Sequence, residues 1–169
     1  MRNTPILIII AFIAFAVGAK GQRTKSVLLP ASEAKDLAHQ CSRDSPRDYT
    51  DTWQPTTEDI EKMESKLSQI SVLKAKCCIE GEQIENPNDW YMQYVGLIWK
   101  GKRIVYISAI STKKPEGFCY EKDGTIIEDK SCELWKQHAI RICDGGTSWG
   151  VVYDVSTGKF TDLSVNGIA

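Results

Sequence analysis

Residues 90–110 read WYMQYVGLIWKGKRIVYISAI. Two runs rich in aromatic and β-branched side chains, Trp90 to Trp99 and Arg103 to Ile110, flank Lys100-Gly101, a residue pair suited to a tight hairpin turn. With Trp99 opposite Lys102, Leu97 faces Ile104 and Val95 faces Tyr106 on one side. Tyr94 faces Ile107 and Met92 faces Ala109 on the other. Both faces are apolar, so the hairpin belongs in the middle of a sheet. That sheet is either covered on both sides or covered on one and adhesive on the other. The adhesive arrangement offers a docking surface, with Trp90, Tyr94, Trp99, Tyr106 and Trp149 as its candidate binding residues, since aromatic anchors dominate interfaces.

Downstream, HAIRICDGGTSWGVVYDVSTGKFTDLSV, His138 to Val165, predicts two or three more strands. His138 to Cys143 reads as one of them. Val155-Ser156-Thr157-Gly158 reads as a turn with Gly158 left-handed, which sets Asp154 opposite Lys159 and Tyr153 opposite Phe160. Trp149, Val151, Tyr153 and Phe160 then share a face directed inward. Gly96 and Gly150 fall mid-strand, where glycine marks close packing or a bulge. A small hairpin about Asp123-Gly124 is expected between the two larger ones.

Upstream, the period changes from two to that of a helix. Ile60, Met63, Leu67 and Ile70 recur on one helical face, behind a cap at Thr56 or Thr57 and the acidic first turn Glu58-Asp59. A shorter helix is expected from Ala31 to Gln40, with Pro30 at its entrance. The intervening CSRDSPRDYTDTWQP is polar, contains Pro46 and Pro55, and reads as loop with Trp53 folded back as a plug. The fold class expected is α+β: two N-terminal helices packed on a mainly antiparallel sheet of about five strands, stabilised by disulfides.

Residues 1–19 read as a signal peptide. Arg2 precedes the uncharged, almost wholly apolar run Pro5 to Ala19, which is shorter than the ~20 residues needed to span a bilayer and ends in small residues. Residues 20–55 then hold the short helix and polar loop, and 56–169 the second helix and the sheet, together one domain. The expected location is periplasmic or secreted, with membrane attachment only through an uncleaved signal. The chain carries 21 basic and 22 acidic side chains, and no long run of one sign. The cluster Lys100, Lys102, Arg103 lies at a hairpin tip and is not the extended basic face that nucleic acid requires.

Six cysteines, Cys41, Cys77, Cys78, Cys119, Cys132 and Cys143, are disulfide candidates in an exported chain. Ordinary bridge geometry argues against joining the neighbours Cys77 and Cys78, which would send them to two different partners. Cys119 and Cys132 flank a turn and suit a local bridge, although Cys143 competes for either. Cys143 with His138 and Asp144 has the residue types of a thiol enzyme. On one strand, however, Cys143 and His138 point to opposite faces roughly 16 Å apart. Carboxylate pairs drawn from Asp144, Asp154 and Asp162 have simpler roles in turns and cross-strand pairs. With two histidines and no Cys-x-x-Cys, neither metal nor cofactor is expected.

The pattern CDGG…WG-V-x-Y-D-x-x-T-G-K-F…NG, preceded by QYVGLI and IVYISA, resembles a family of small exported bacterial proteins without a settled function. The likeness covers Gln93 to Ala169 and implies no activity. Because no catalytic constellation fits the spacing while the central hairpin is apolar on both faces, the functional expectation is a non-catalytic binding module, of the inhibitor or immunity type, that engages another protein. The alternative is an envelope hydrolase using Cys143 or nearby carboxylates.

Overall fold

The computed structural model describes residues 25–110, 119–122, 125–128, 134–143 and 148–167. In chain order the elements are β1 (Ser26–Leu28), α1 (Ala34–Ala38), β2 (Asp51–Trp53), α2 (Thr57–Glu64), β3 (Tyr91–Trp99), β4 (Lys102–Ile110), β5 (Cys119–Lys122), β6 (Thr125–Glu128), β7 (Trp149–Asp154) and β8 (Lys159–Val165). A six-stranded mixed sheet runs β1-β3-β4-β7-β8, with β2 also on β3. Only β1 is parallel to its neighbour. The fold is thus α+β with a largely antiparallel sheet, as expected, but with six strands.

The β3–β4 hairpin has the register expected from its sequence, Trp99↔Lys102 through Met92↔Ala109. Lys100 and Gly101 both take left-handed backbone, φ 51° and 73°, as a two-residue hairpin turn requires. The β7–β8 hairpin likewise pairs Asp154↔Lys159 and Tyr153↔Phe160, with Gly158 at φ 66°. The register then shifts between Gly150 and Val152, and Asp162 on β8 adopts φ 53° there. This is a bulge taken up by a residue type that tolerates left-handed backbone. The small hairpin also forms, β5 antiparallel to β6 in a separate sheet.

Residues 26–28 and 51–53 were expected in no strand. Each adds only three residues, and together they divide the outer edge of β3. β1 pairs with Met92–Tyr94, and β2 with Gly96–Ile98. Gly96 permits the second contact, since a Cβ there would collide with the Trp53 carbonyl oxygen and stand 2.7 Å from Pro55 Cδ. Trp53 is the expected plug: its indole N–H donates to the Ile104 carbonyl at 3.0 Å.

α2 opens on a complete capping box. The Thr56 hydroxyl accepts from the Asp59 N–H, and the Asp59 carboxylate accepts from Thr56 N–H and Oγ1–H. These Thr56 hydrogen bonds hold the Asp59 carboxyl below the ordinary carboxylate range. The helix ends at Glu64, and a 3-10 turn, Leu67–Val72, carries the stripe onward. Ile60, Met63, Leu67 and Ile70 are all buried against Met92, Tyr94, Val105, Ile107, Trp149, Val151 and Tyr153 on one face of the sheet. On the opposite face α1 and Leu29 cover Val95, Leu97, Ile104, Tyr106 and Val152. The hairpin is therefore sealed on both sides by the chain itself, and the adhesive-face arrangement is not the one adopted.

His138 to Cys143 is not a strand, although Ala139, Ile140 and Ile142 within it are buried. Its backbone bonds run to side-chain amides and a carboxylate in place of a neighbouring strand. Gln93 donates to the Trp135 and His138 carbonyls, both 2.6 Å, and accepts from Ile140 N–H. Gln40 donates to the Ile140 carbonyl and accepts from Ile142 N–H, and Glu33 accepts from Ala139 N–H. Gln93 is fully buried and Gln40 is 1 % exposed. Each amide satisfies backbone groups that burial would otherwise strand without partners.

Candidate functional site

The structure dismantles the thiol-enzyme arrangement. Cys143 is bonded to Cys41 across a sequence separation of 102, so its sulfur is not a thiolate and cannot attack a substrate. His138 Nδ1 lies 3.3 Å from Glu33 Oε1, whose other oxygen accepts the Ala139 N–H at 2.9 Å. Glu33 thus clamps this segment to the entrance of α1. Asp144 and the glycines after it lie outside the described residues, as does Cys132 of the expected Cys119–Cys132 bridge.

Cys77 and Cys78 are bonded to each other, against expectation. Their Cα atoms are 3.7 Å apart, one trans peptide, where most bridges span about 4.4–6.8 Å. Cys78 takes left-handed backbone, φ 78°, which re-aims its Cβ in a way the adjacency argument left out of account. The neighbouring backbone docks on the outer edge of β8, with Lys76 N–H donating to the Leu163 carbonyl at 2.9 Å.

The remaining carboxylate candidates are tied into ion pairs. Asp162 meets Lys76 at 2.9 Å. Asp154 lies opposite Lys159 in register, yet its carboxylate turns to Lys102 Nζ at 2.9 Å and to Ser156 Oγ at 2.6 Å. The hydrogen bond from Lys102, then those from Ser156 and Thr157 N–H, hold the Asp154 carboxyl well below the ordinary range against the opposing effect of burial. With the folded-state pKa below the unfolded value of about 3.9, this stabilisation is complete above about pH 4 and disappears as pH falls through the folded value. Asp154→Asn is expected to cost about 1–3 kcal/mol at pH 7. Melting temperatures followed from pH 7 to pH 2 should converge on the acid side, and a gap constant across that range would refute the assignment.

Of the candidate binding residues, Tyr94 and Trp149 are fully buried and Tyr106 is 1 % exposed. They are core in this fold, and the expected five-residue docking surface does not exist. Trp90 and Trp99 remain half-buried at opposite ends of β3. Trp99 is occupied locally, its indole N–H donating to Asp48 at 2.6 Å and Lys100 Nζ lying 3.9 Å above its ring.

The residue that sequence reading passed over is Arg43, set in the polar loop and 2 % exposed. Its guanidinium donates to Tyr106 Oη at 3.2 Å, Ser148 Oγ at 3.2 Å, Asn166 Oδ1 at 2.7 Å and Ser108 Oγ at 2.7 Å. The available signal was Gly150, where a Cβ would stand 2.5 Å from Tyr106 Oη and 2.9 Å from Arg43 Nε. A glycine mid-strand there leaves room for the guanidinium.

Two clefts open beside these features. One lies between Pro46, Trp99, Tyr106 and the Lys76–Asp162 pair, with Cys77 in its wall. The other is bounded by the segment Glu82–Asn86 with Asp89 and Trp90 on one side, and by Ser148, Trp149 and Val165 on the other. No three His, Cys, Asp or Glu side chains among the described residues are placed to hold a metal ion. Nor is any helix among them long and apolar enough to cross a membrane. No protein-family model, curated protein or solved structure matches the chain.

Proposed function

We propose that the chain is an exported, non-catalytic binding module that engages another protein, of the inhibitor or immunity type. The observation that carries this reading is the second cleft, where Trp90 stands half-buried at the end of a sheet whose faces are otherwise sealed. A large aromatic set immediately before β3 and left open on one side suits a partner-binding anchor, since tryptophan is enriched at such positions. The engaged state of Cys143 and His138 supports the non-catalytic part. The Cys41–Cys143 bridge suits an oxidising compartment such as the periplasm or the cell exterior.

The test is site-specific photo-cross-linking in the exported fraction of the cell of origin. A photoreactive phenylalanine derivative at position 90 should give one discrete adduct. The same group at position 72, where Val72 is 74 % exposed, should give none. Equal labelling from both positions, or no adduct at 90, would overturn the proposal.

A further inference from the structure

The two disulfides among the described residues join the chain in different ways. Cys41–Cys143 ties together segments 102 positions apart, whereas Cys77–Cys78 joins neighbours that the peptide bond already holds. The fold gains almost no cross-linking from the second bond, yet the backbone is shaped around it. Four non-glycine residues among those described take left-handed backbone: Cys78, Asn86, Lys100 and Asp162. Asn86 and Asp162 are types that tolerate it, and Lys100 sits in a hairpin turn that demands it. Cys78 has neither reason, so its φ of 78° is imposed by the small ring that the bond closes. The ends of this turn are fastened independently of the sulfurs. Ala75 N–H donates to the Glu82 carbonyl at 2.8 Å and Gly81 N–H to that of Ala75 at 3.0 Å. Lys76 N–H donates to Leu163 at 2.9 Å and Val165 N–H to Cys77 at 3.3 Å, which holds the turn on β8. Cys77 is half-buried, whereas Cys78, Ile79 and Glu80 at the tip are exposed. Gly167 fits the bridged form, since a Cβ there would stand 3.1 Å from Cys78 Cβ.

We propose that Cys77–Cys78 is a redox switch opened by thiol–disulfide exchange with a dithiol. One thiolate of the dithiol attacks the sulfur of Cys78, the exposed member of the pair. A new S–S bond forms there as the Cys77–Cys78 bond breaks, and Cys77 leaves as a thiolate that takes up a proton. The second thiolate then attacks the dithiol's own first sulfur, closing its disulfide and expelling Cys78 as a thiolate, which is protonated in turn. The dithiol is oxidised by two electrons and the cysteine pair is reduced by two. Opening the ring frees Cys78 to leave the left-handed region and its contact with Gly167, while the hydrogen-bonded stem stays on β8. The change is therefore local to the tip of the turn and to Gly167. Cys41–Cys143 resists the same reagent, because a bridge that stabilises the fold is stabilised by the fold in equal measure. The switch is stoichiometric and stands independently of the binding-module reading.

The test titrates dithiothreitol into the full-length folded protein, with free thiols trapped by N-ethylmaleimide and mapped to each cysteine by mass spectrometry. Cys77 and Cys78 should be labelled together at a dithiol concentration at least roughly tenfold below that which labels Cys41 and Cys143. The melting temperature at that point should stay within about 3 °C of the oxidised protein's. Amide NMR shifts should centre on Cys78 and Gly167, with the Lys76 and Val165 amides still protected from exchange, and oxidised glutathione should restore the original spectrum. A reduced Cys-x-x-Cys oxidoreductase that opens the pair faster than dithiothreitol at equal dithiol concentration assigns the switch to a protein reductant, and one that is no faster assigns it to a small dithiol. Labelling of all four cysteines at one concentration would overturn the proposal. So would loss of protection at Lys76 and Val165 on reduction, which would show the bridge to be a structural part of the turn.

Discussion

Cys41→Ser/Cys143→Ser is expected to lower stability by about 4 kcal/mol, whereas Cys77→Ala/Cys78→Ala should change it by less than about 1 kcal/mol. The two bridges differ in the loop they close, not in the bond they contain. Cys41 and Cys143 are 102 positions apart, and tying together so much unfolded chain removes much of its conformational freedom. Cys77 and Cys78 are neighbours, so their bond closes almost no loop and restricts the unfolded chain very little. For a domain of this size the first loss corresponds to a drop of roughly 8–16 °C in melting temperature. Both cysteines of the long bridge are exposed, so their replacement leaves no cavity to confuse the comparison. Thermal unfolding of the two double variants at neutral pH decides it. Equal losses would show that loop closure is not what the Cys41–Cys143 bridge contributes.

The hairpins were legible because their information is local. Alternating apolar residues and two glycine-bearing turns specify which residues face each other, and both registers follow from that alone. The start of α2 was legible for the same reason, through a capping threonine and the first half of the stripe, whereas Leu67 and Ile70 fall in the 3-10 turn beyond its end. What escaped reading depends on groups far apart in the chain. β1 and β2 are too short to carry a period, and each exists because β3 offers an edge. The His138–Cys143 segment has the side-chain pattern of a strand, but Gln40 and Gln93 provide the pairing that a strand would have drawn from a neighbour. Nothing in an isolated glutamine announces such a role. The docking surface failed at a related point: apolar residues on both faces of a hairpin show that burial is wanted, but not which segments supply it. Here α1, Leu29 and α2 do, leaving Trp90 at a margin instead of a whole face.

Arg43→Ala is expected to cost about 2–5 kcal/mol, because it empties a buried site and leaves several buried acceptors without their donor at once. The four acceptors that surround the guanidinium are all neutral, and no carboxylate among the described residues pairs with it. Its charge is held by hydroxyl and amide dipoles, an arrangement that pays off only while every one of them points inward. Alanine leaves a cavity and removes the donor facing Ser108, Ser148, Tyr106 and Asn166 at once. Arg43→Lys keeps the charge, but an ammonium offers three donors from a single point in place of a planar fork. It should fall between wild type and alanine, at roughly 1–3 kcal/mol. Denaturant unfolding of the three proteins orders them, and a loss below about 1 kcal/mol for alanine would show that the network is dispensable. The loop around Arg43 is also pinned by Asp44 N–H to Ser164 Oγ at 3.0 Å and by Gly167 N–H to the Ser42 carbonyl at 2.9 Å. Arg43 stands two residues from Cys41, so the guanidinium and the long disulfide fasten the same piece of chain to the sheet. Their losses should therefore fall short of additivity by at least about 0.5 kcal/mol when the Arg43→Ala and Cys41→Ser/Cys143→Ser changes are combined. Once the loop has been released by one change, the other has less ordered structure left to disrupt.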